Sequence, residues 1–304
     1  PATDTAQDKM ADIAHGFAKI SHPGYSQPNE PLEPGQRSSD FGEPFDVLRA
    51  VSKVEPLSRA VIGGKHMSLE GKVAVVTGST RGIGRAIAEA LIDQGMAVVI
   101  SSRRQHDVDR AVKECRRREK GKVAGVPCDV REYRQVQRLM DFAVREFGGL
   151  DILVNNAGVS TTAPVTDLKP EEWQEIIDTN LTGVFYCCHE AIPKMRSRGG
   201  GYIINIGSLA GANAHPTMAA YNASKFGLLG FSEALFQEIR YDGIRVSHIM
   251  PGSVETDFST GGTERSGWAI LPEHIADMVV YLLQSPPRTM STRIEMRPAK
   301  PRRR

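Results

Sequence analysis

The sequence predicts one α/β domain: a doubly wound parallel sheet of about seven strands with helices on both faces, preceded by an N-terminal extension. Three observations lead there. Short β-branched runs such as KVAVVT (72–77), MAVVIS (96–101) and LDILVN (150–155) lack polar alternation, as strands buried on both faces do. Between them lie segments with apolar residues at helical spacing, the pattern of βαβ units. The first strand also runs directly into a glycine-rich turn that opens a helix.

The elements follow in order. After strand 72–77, GIGRAIAEALIDQG places Ile83, Ile87 and Leu91 on one helical face and stops on a glycine. Strand 96–101 is followed by the helix DVDRAVKECRRREK (107–120) and the strand KVAGVPCDV (122–130). A helix over 131–149 leads to the strand LDILVNNAG. Two long helices, 170–197 and 217–241, flank the strand GYIINIGS, and IRVSHIMPG is the next strand. A helix at 272–284 and a last strand in STRIEMRP close the domain. Right-handed crossovers then put ligand sites at the carboxyl ends of the strands.

Residues 1–66 stand apart. SHPGYSQPNEPLEPGQRSSDFGEPF (21–45) is too rich in Pro, Gly, Ser and Glu to order itself. The weak helical periodicity at 46–55 is interrupted by Pro56. The organisation is therefore an extension at 1–66, a dinucleotide-binding domain at 67–296 and a basic tail at 297–304. Met67 would make an ordinary first residue.

Composition bounds the function. The formal net charge is +2, with 40% hydrophobic and 24% charged residues, which is globular. No apolar run approaches the roughly 18 residues of a membrane span. The basic excess sits in MRPAKPRRR, which reads as a solvated end and not a nucleic-acid contact. Cys115, Cys128, Cys187 and Cys188 have no zinc-ligand spacing, and the first residues have no apolar signal core. Reduced thiols in the cytoplasm, no metal, no membrane and no nucleic acid are the expectations. His215 reads as an exposed loop residue, His189 and His248 as satisfied core residues.

The turn VVTGSTRGIGRAIA places Gly78, Gly82 and Gly84 where backbone must approach a pyrophosphate at a helix N-terminus. The spacing is G-x-x-x-G-x-G, in the strand–turn–helix setting of a Rossmann-type site. The second strand ends Ser101-Ser102-Arg103-Arg104, with no acid to hold the ribose hydroxyls of NAD(H). A guanidinium would instead pair with a 2′-phosphate, and Arg81 adds charge. NADP(H) is therefore expected over NAD(H), the alternative being solvated surface arginines.

In AAYNASKFG, Tyr221 and Lys225 stand four apart, on one face about 6 Å apart if helical. A fixed charge beside a phenol favours its ionised form, so Tyr221 is expected below its usual value of about 10. On spacing alone an ordinary surface pair stays open.

The motifs together resemble the short-chain dehydrogenase/reductase family: TGSTRGIG at 77–84, NNAG at 155–158, Asn180 in DTNLTGVF, Ser208 in INIGSLAG, YNASK at 221–225 and the Pro251-Gly252 pair. The resemblance covers about 67–285. It implies catalytic roles for Asn180, Ser208, Tyr221 and Lys225. Tyr221 would be the general acid/base, Ser208 would orient the substrate oxygen, and Asn180 would hold a water linking Lys225 to solvent. It also implies a cofactor site from Gly78, Thr80, Arg81, Gly82, Ile83, Gly84, Ser102, Arg103, Asp129, Val130, Asn156, Ala157, Gly158, Tyr221, Lys225, Pro251, Gly252, Val254 and Thr256. Asp129 would meet the adenine, Thr256 the nicotinamide carboxamide, and Asn155 would anchor the central strands.

The activity so implied is NADP(H)-dependent interconversion of a carbonyl and a secondary alcohol. The body is similar to 3-oxoacyl-[acyl-carrier-protein] reductases, whereas the ending STRIEMRPAKPRRR is similar to members acting on 3-hydroxy acids. A silent cofactor-binding regulator of the same fold is the alternative, against which the intact tetrad argues. The family's long helices imply a homotetramer or dimer, with Phe226, Leu229 and Phe236 as interface candidates. The loop SVETDFSTGGTERSGWAI, with Gly261 and Gly262, is expected to close over a fairly open pocket.

Because 46–61 has enough apolar positions to dock but not to fold alone, deletion of residues 1–66 is expected to leave a folded, cofactor-binding domain. A protein starting at Met67 that fails to melt cooperatively, or binds no cofactor in a fluorescence titration, would move the boundary.

Overall fold

The computed structural model describes residues 67–256 and 267–301. The extension at 1–66, the loop glycines Gly261 and Gly262, and the tail end at 302–304 lie outside the described residues. The strands are β1 (Val73–Thr77), β2 (Ala97–Ser101), β3 (Lys122–Gly125), β4 (Ile152–Asn155), β5 (Gly201–Ile206), β6 (Ile244–Pro251) and β7 (Arg293–Met296). They form one parallel sheet in the order β3-β2-β1-β4-β5-β6-β7.

Every residue of β1, β2 and β4 is buried, which explains their unbroken apolar runs. Their side chains still alternate between two cores. Ala74 and Val76 join Ile87, Leu91, Val108, Ile275 and Leu282 on one face. Val73 and Val75 join Val136, Leu139, Met140, Val184, Met195 and Leu228 on the other. The two edges are blunted by charge: Lys122 on β3 and Arg293 on β7 are exposed.

The helices are α1 (Gly82–Asp93), α2 (Gln105–Cys115), α3 (Tyr133–Phe147), α4 (Pro170–Ile177), α5 (Gly183–Ser197), α6 (Ala219–Ile239) and α7 (Pro272–Gln284). Proline at the first position starts α4 and α7, where no hydrogen bond is lost. Glu172 reaches back to accept from the Lys169 amide at 3.0 Å. Gly148, in the left-handed region at φ 82°, ends α3.

Three expected elements differ. The strand expected over 122–130 stops at Gly125, two residues before Pro127, which has no amide hydrogen for the ladder. The helix expected to reach residue 120 ends at Cys115, its last core-facing side chain. Beyond it, Arg118 pairs with Glu89 at 2.7 Å and with Asp93, tying the turn to α1. The helix expected at 170–197 is interrupted by a π turn, Asp178–Thr182.

Strand order reverses between β1 and β4, so the connections leaving their carboxyl ends diverge and open a crevice. Asp151, at the opposite end of β4, fastens the sheet. Its carboxylate accepts from the Val73 amide at 2.9 Å, and Lys72 and Arg198 pair with it at 3.2 and 3.3 Å.

Candidate active site

The predicted site residues converge on the carboxyl ends of the strands. Gly78 to Gly84 follow β1, Ser102 and Arg103 follow β2, and Asp129 and Val130 lie beyond β3. Asn156, Ala157 and Gly158 follow β4, Ser208 follows β5, and Pro251 to Thr256 end and follow β6. Asn180 lies in the π turn, and Tyr221 and Lys225 in the first two turns of α6.

The first turn is packed to backbone contact. Asn156 Nδ2 donates to the carbonyls of Thr77 and Gly78, both at 3.0 Å. Thr77 Oγ1 accepts from the amides of Asn156 and Ala157 at 3.0 and 3.1 Å. A Cβ on Gly78 would lie 2.9 Å from Ala157 Cα, and one on Gly84 only 2.5 Å from the Gly78 carbonyl. Gly78 also adopts φ 63°, open to glycine at no cost. Ser79, not anticipated, holds the turn to β2: its hydroxyl accepts from the Ser101 amide at 3.0 Å and donates to the Val76 carbonyl at 2.6 Å. Arg81 occupies the N-cap of α1 in extended conformation and its side chain does not cap the helix. A Cβ on Gly82, whose φ is 56°, would have only the Thr256 side chain nearby, at 3.4 Å. A cradle of glycines at an uncapped helix N-terminus, facing Thr256, fits a pyrophosphate-bearing dinucleotide.

Beyond β2 and β3 lies a charged cluster. Arg131 forks onto Asp129 at 2.6 and 3.0 Å. Arg103 Nη1 and Arg131 Nη1 both reach Glu175 Oε1, at 3.3 and 3.4 Å. Burial alone would raise the Asp129 carboxyl, but the hydrogen bonds of Arg131 and the charges of Arg131 and Arg103 hold it below its ordinary value. Arg131 and Glu175 were not anticipated. Glu175 lies 72 residues from Arg103, so no local signal marks it.

The π turn directs Asn180 inward. Its Oδ1 accepts from the Val159 amide at 2.8 Å, while Nδ2 donates to the Val159 carbonyl at 2.9 Å and to Ser224 Oγ at 3.1 Å. Ser224 in turn donates to the Tyr221 carbonyl at 2.8 Å. Lys225 Nζ donates to the Ile206 carbonyl at 3.0 Å and lies 5.7 Å from the Tyr221 ring centroid. Asn222, between them, fixes the 209–216 loop: Nδ2 donates to the carbonyls of Ala210 and Asn213, and Oδ1 accepts from the His215 amide. An asparagine directly after the tyrosine, in YNASK, is the signal that would have found it.

The expected direction for Tyr221 is corrected here. Tyr221 is 7% exposed and Lys225 5%. Burial raises the phenol above its ordinary value, with the Ser208 hydroxyl opposing by hydrogen bonding. Burial also pushes Lys225 down to about 8. The four-residue spacing fixed proximity but not the desolvation that outweighs it.

Two histidines also depart from expectation. His189 is exposed, 3.2 Å from the Tyr133 hydroxyl, because α5 turns that position outward. His248 is buried against Gly207, with Nδ1 3.2 Å from Ser232 Oγ. The single Ser232 hydrogen goes to the Leu228 carbonyl at 2.6 Å, so His248 Nδ1 carries the proton and Nε2 is a bare acceptor without a partner. A Cβ on Gly207 would strike this ring. His215 is exposed, as expected. Asn155 Nδ2 donates to Asn205 Oδ1 at 2.9 Å across β4 and β5.

The cysteines are buried thiols; Cys128 and Cys188 are pushed up to about 12, chiefly by burial. Among the described residues no helix is long and apolar enough to cross a membrane.

The family model described as short chain dehydrogenase matches residues 72–266. The chain belongs to the short-chain dehydrogenase family. A 3α-hydroxysteroid dehydrogenase of Mediterraneibacter gnavus is 39% identical over 192 residues, covering 63% of this chain and 77% of that protein. An uncharacterized oxidoreductase of Staphylococcus aureus strain USA300 is 33% identical over 76% of this chain and 98% of its own length. A metagenomic short-chain oxidoreductase solved in complex with NADP shares 34% identity with a TM-score of 0.68, over 77% of this chain and 100% of that one. An alcohol dehydrogenase from Thermococcus sibiricus, complexed with 5-hydroxy-NADP, shares 26% identity with a TM-score of 0.71, over 77% and 99%. This short-chain dehydrogenase is thus an oxidoreductase acting on CH–OH donors.

The depressed Lys225 has a consequence for its stability. Below about pH 8 the buried cation is a penalty in the folded state. Between about 8 and the ordinary value of 10.5 the unfolded chain binds more protons, so stability rises with pH as the penalty is relieved, by on the order of 3 kcal/mol. Denaturant titrations of the parent and Lys225→Met at pH 7.5 to 10.5 are expected to converge by that amount. A constant difference across the range would contradict it.

Proposed function

We propose that this dehydrogenase interconverts a ketone and a secondary alcohol with NADP(H), using Tyr221 as general acid/base. The observation that carries the reading is the joint burial of Tyr221 and Lys225 beside the Ser208 hydroxyl. When bound, NADP(H) would supply or accept the hydride, and its oxidised form would add positive charge. Gly78, Gly82 and Gly84 would admit its pyrophosphate, with Thr80, Arg81 and Ile83 completing the turn. Ser102, Arg103, Asp129 and Val130 would hold the adenosine end. Asn156, Ala157, Gly158, Pro251, Gly252, Val254 and Thr256 would line the rest.

Ser208 would orient the substrate oxygen toward the phenol, which gives its proton during reduction and takes one during oxidation. Because burial holds Tyr221 protonated, the free protein favours the acid form, and Lys225 with the cofactor's charge would bring the phenol into its working range. The Asn180–Ser224 hydrogen bond holds the π turn against the start of α6, so Asn180 would position any water serving Lys225. Preference for NADP(H) is supported by Arg103 after β2, where an acid would otherwise hold the ribose, by Arg131 meeting the same Glu175 oxygen as Arg103, and by the NADP complexes of the two structural neighbours.

The substrate class is a 3-oxoacyl or other ketone, or the matching 3-hydroxy compound. NADPH oxidation against β-ketoesters, diketones and 3-ketosteroids is the direct test. Tyr221→Phe is expected to retain NADPH binding and lose turnover by about 10²- to 10⁴-fold. Unchanged turnover would remove Tyr221 from the chemistry, and no turnover of any carbonyl by the parent would favour a silent binding protein.

We also propose self-association, as a dimer or tetramer, through α4, α5 and α6. Trp173, Phe185 and Phe226, one on each of these helices, are 41%, 48% and 45% exposed, large apolar side chains that a partner copy would cover. Phe236 and Leu229 are instead half-buried, and Phe236 packs on the core. Light scattering at micromolar concentration is expected to give a dimer or tetramer mass; a monomer would refute this.

A further inference from the structure

The cluster beyond β2 and β3 holds two unequal kinds of ion pair. Arg131 grips Asp129 through Nη2 at 2.6 Å and through Nε at 3.0 and 3.1 Å, and Asp129 is mostly covered, its side chain 17% exposed. Glu175 is held differently. One oxygen, Oε1, is shared by two guanidinium groups at 3.3 and 3.4 Å, and its side chain is 42% exposed. The Arg103 side chain is 55% exposed. Long, single, solvent-facing contacts of this kind contribute little and are exchangeable. Two arginines and two carboxylates also leave the cluster formally neutral before any ligand arrives.

We propose that Glu175 is a placeholder anion, resting on Arg103 and Arg131 until the 2′-phosphate of the cofactor displaces it, and that it thereby tempers the preference for NADP(H). The inference rests on the reading of Arg103 as the 2′-phosphate ligand. A phosphate dianion offers Arg103 more charge and more acceptor oxygens than the shared Oε1 does, so the exchange runs toward the phosphate. The carboxylate is not consumed but swings into solvent, where its exposure already allows hydration. Its presence costs affinity twice: the existing contact must break, and the displaced charge stays near the phosphate. A ligand without the 2′-phosphate leaves the contact intact.

Calorimetric titration with 2′,5′-ADP and with 5′-AMP tests this on the full chain, comparing the parent, Glu175→Gln and Glu171→Gln. Glu171 is an exposed acid of the same helix, so its variant makes the same change in net charge. Glu175→Gln is expected to tighten 2′,5′-ADP by about two- to fivefold at low salt, the range of an exposed pair. 5′-AMP should be unaffected, Glu171→Gln should match the parent, and the gain should fade with added salt. Unchanged or weaker 2′,5′-ADP binding by Glu175→Gln overturns the placeholder role, as does an equal gain in Glu171→Gln. A parent that binds 2′,5′-ADP no better than 5′-AMP would instead refute the reading of Arg103, and the placeholder with it. A crystal structure with 2′,5′-ADP gives an independent readout: Glu175 should leave Arg103, and a retained contact counts against the proposal.

Discussion

Backbone must meet backbone where β1 ends, and much of the site follows from that contact. No side chain fits at Gly78 or Gly84, because Ala157 Cα and the Gly78 carbonyl already occupy the space. Closing the gap lets Asn156 satisfy two carbonyls of the turn and Thr77 satisfy two amides of the strand end beside it. The turn is thereby fixed to β4 as well as to β2, through Ser79. A helix N-terminus held this firmly presents its amides without reorganisation, which is what binding an anion there requires.

The groups proposed to react are seated on the end of β5. Gly211 lies close enough to Lys225 that a Cβ would meet its carbonyl at 2.7 Å, so the loop after Ser208 is seated directly on α6. The Ile206 carbonyl, at the end of β5, accepts from the Lys225 ammonium. Tyr221, Ser208 and Lys225 are therefore referenced to one strand end. Their electrostatics is dominated by desolvation, which keeps the phenol protonated and weakens the ammonium. A cationic ligand in the cleft would act on a neutral phenol beside an ammonium that keeps its charge only below about pH 8.

What the sequence showed and what it hid separate along physical lines. Strands β1, β2 and β4 and helices α1, α3 and α7 were legible because burial on two faces, or on one stripe, writes a period into local residues. The glycine turn at the start of α1 and the closeness of Tyr221 to Lys225 on α6 were legible because a strand–turn–helix pattern and a four-residue spacing lie in local residues. Contacts between distant segments were not: Glu175 meets Arg103 only after the chain has folded. Burial of a polar group was equally hidden, which is why Tyr221 was assigned the wrong direction and His189, in an apolar stretch, the wrong environment. The Pro127 stop of β3 was written locally and overlooked.

The π turn at Asp178–Thr182 leaves a mark on everything after it. Ile176 and Val184 are both buried, eight residues apart, where two α turns would span about seven. The segment thus holds one residue more than a continuous helix would, and the surplus puts the side chains of α5 about 100° out of step with those of α4. Apart from Asn180, this stretch sets phase more than it supplies particular side chains. Replacing Asp178 or Leu181 would leave that phase intact, whereas removing a residue would rotate Val184, Cys188, Ala191 and Met195 together away from the strands that receive them, and would also withdraw Asn180 from Val159 and Ser224. Length is under constraint there as firmly as the identity of Asn180.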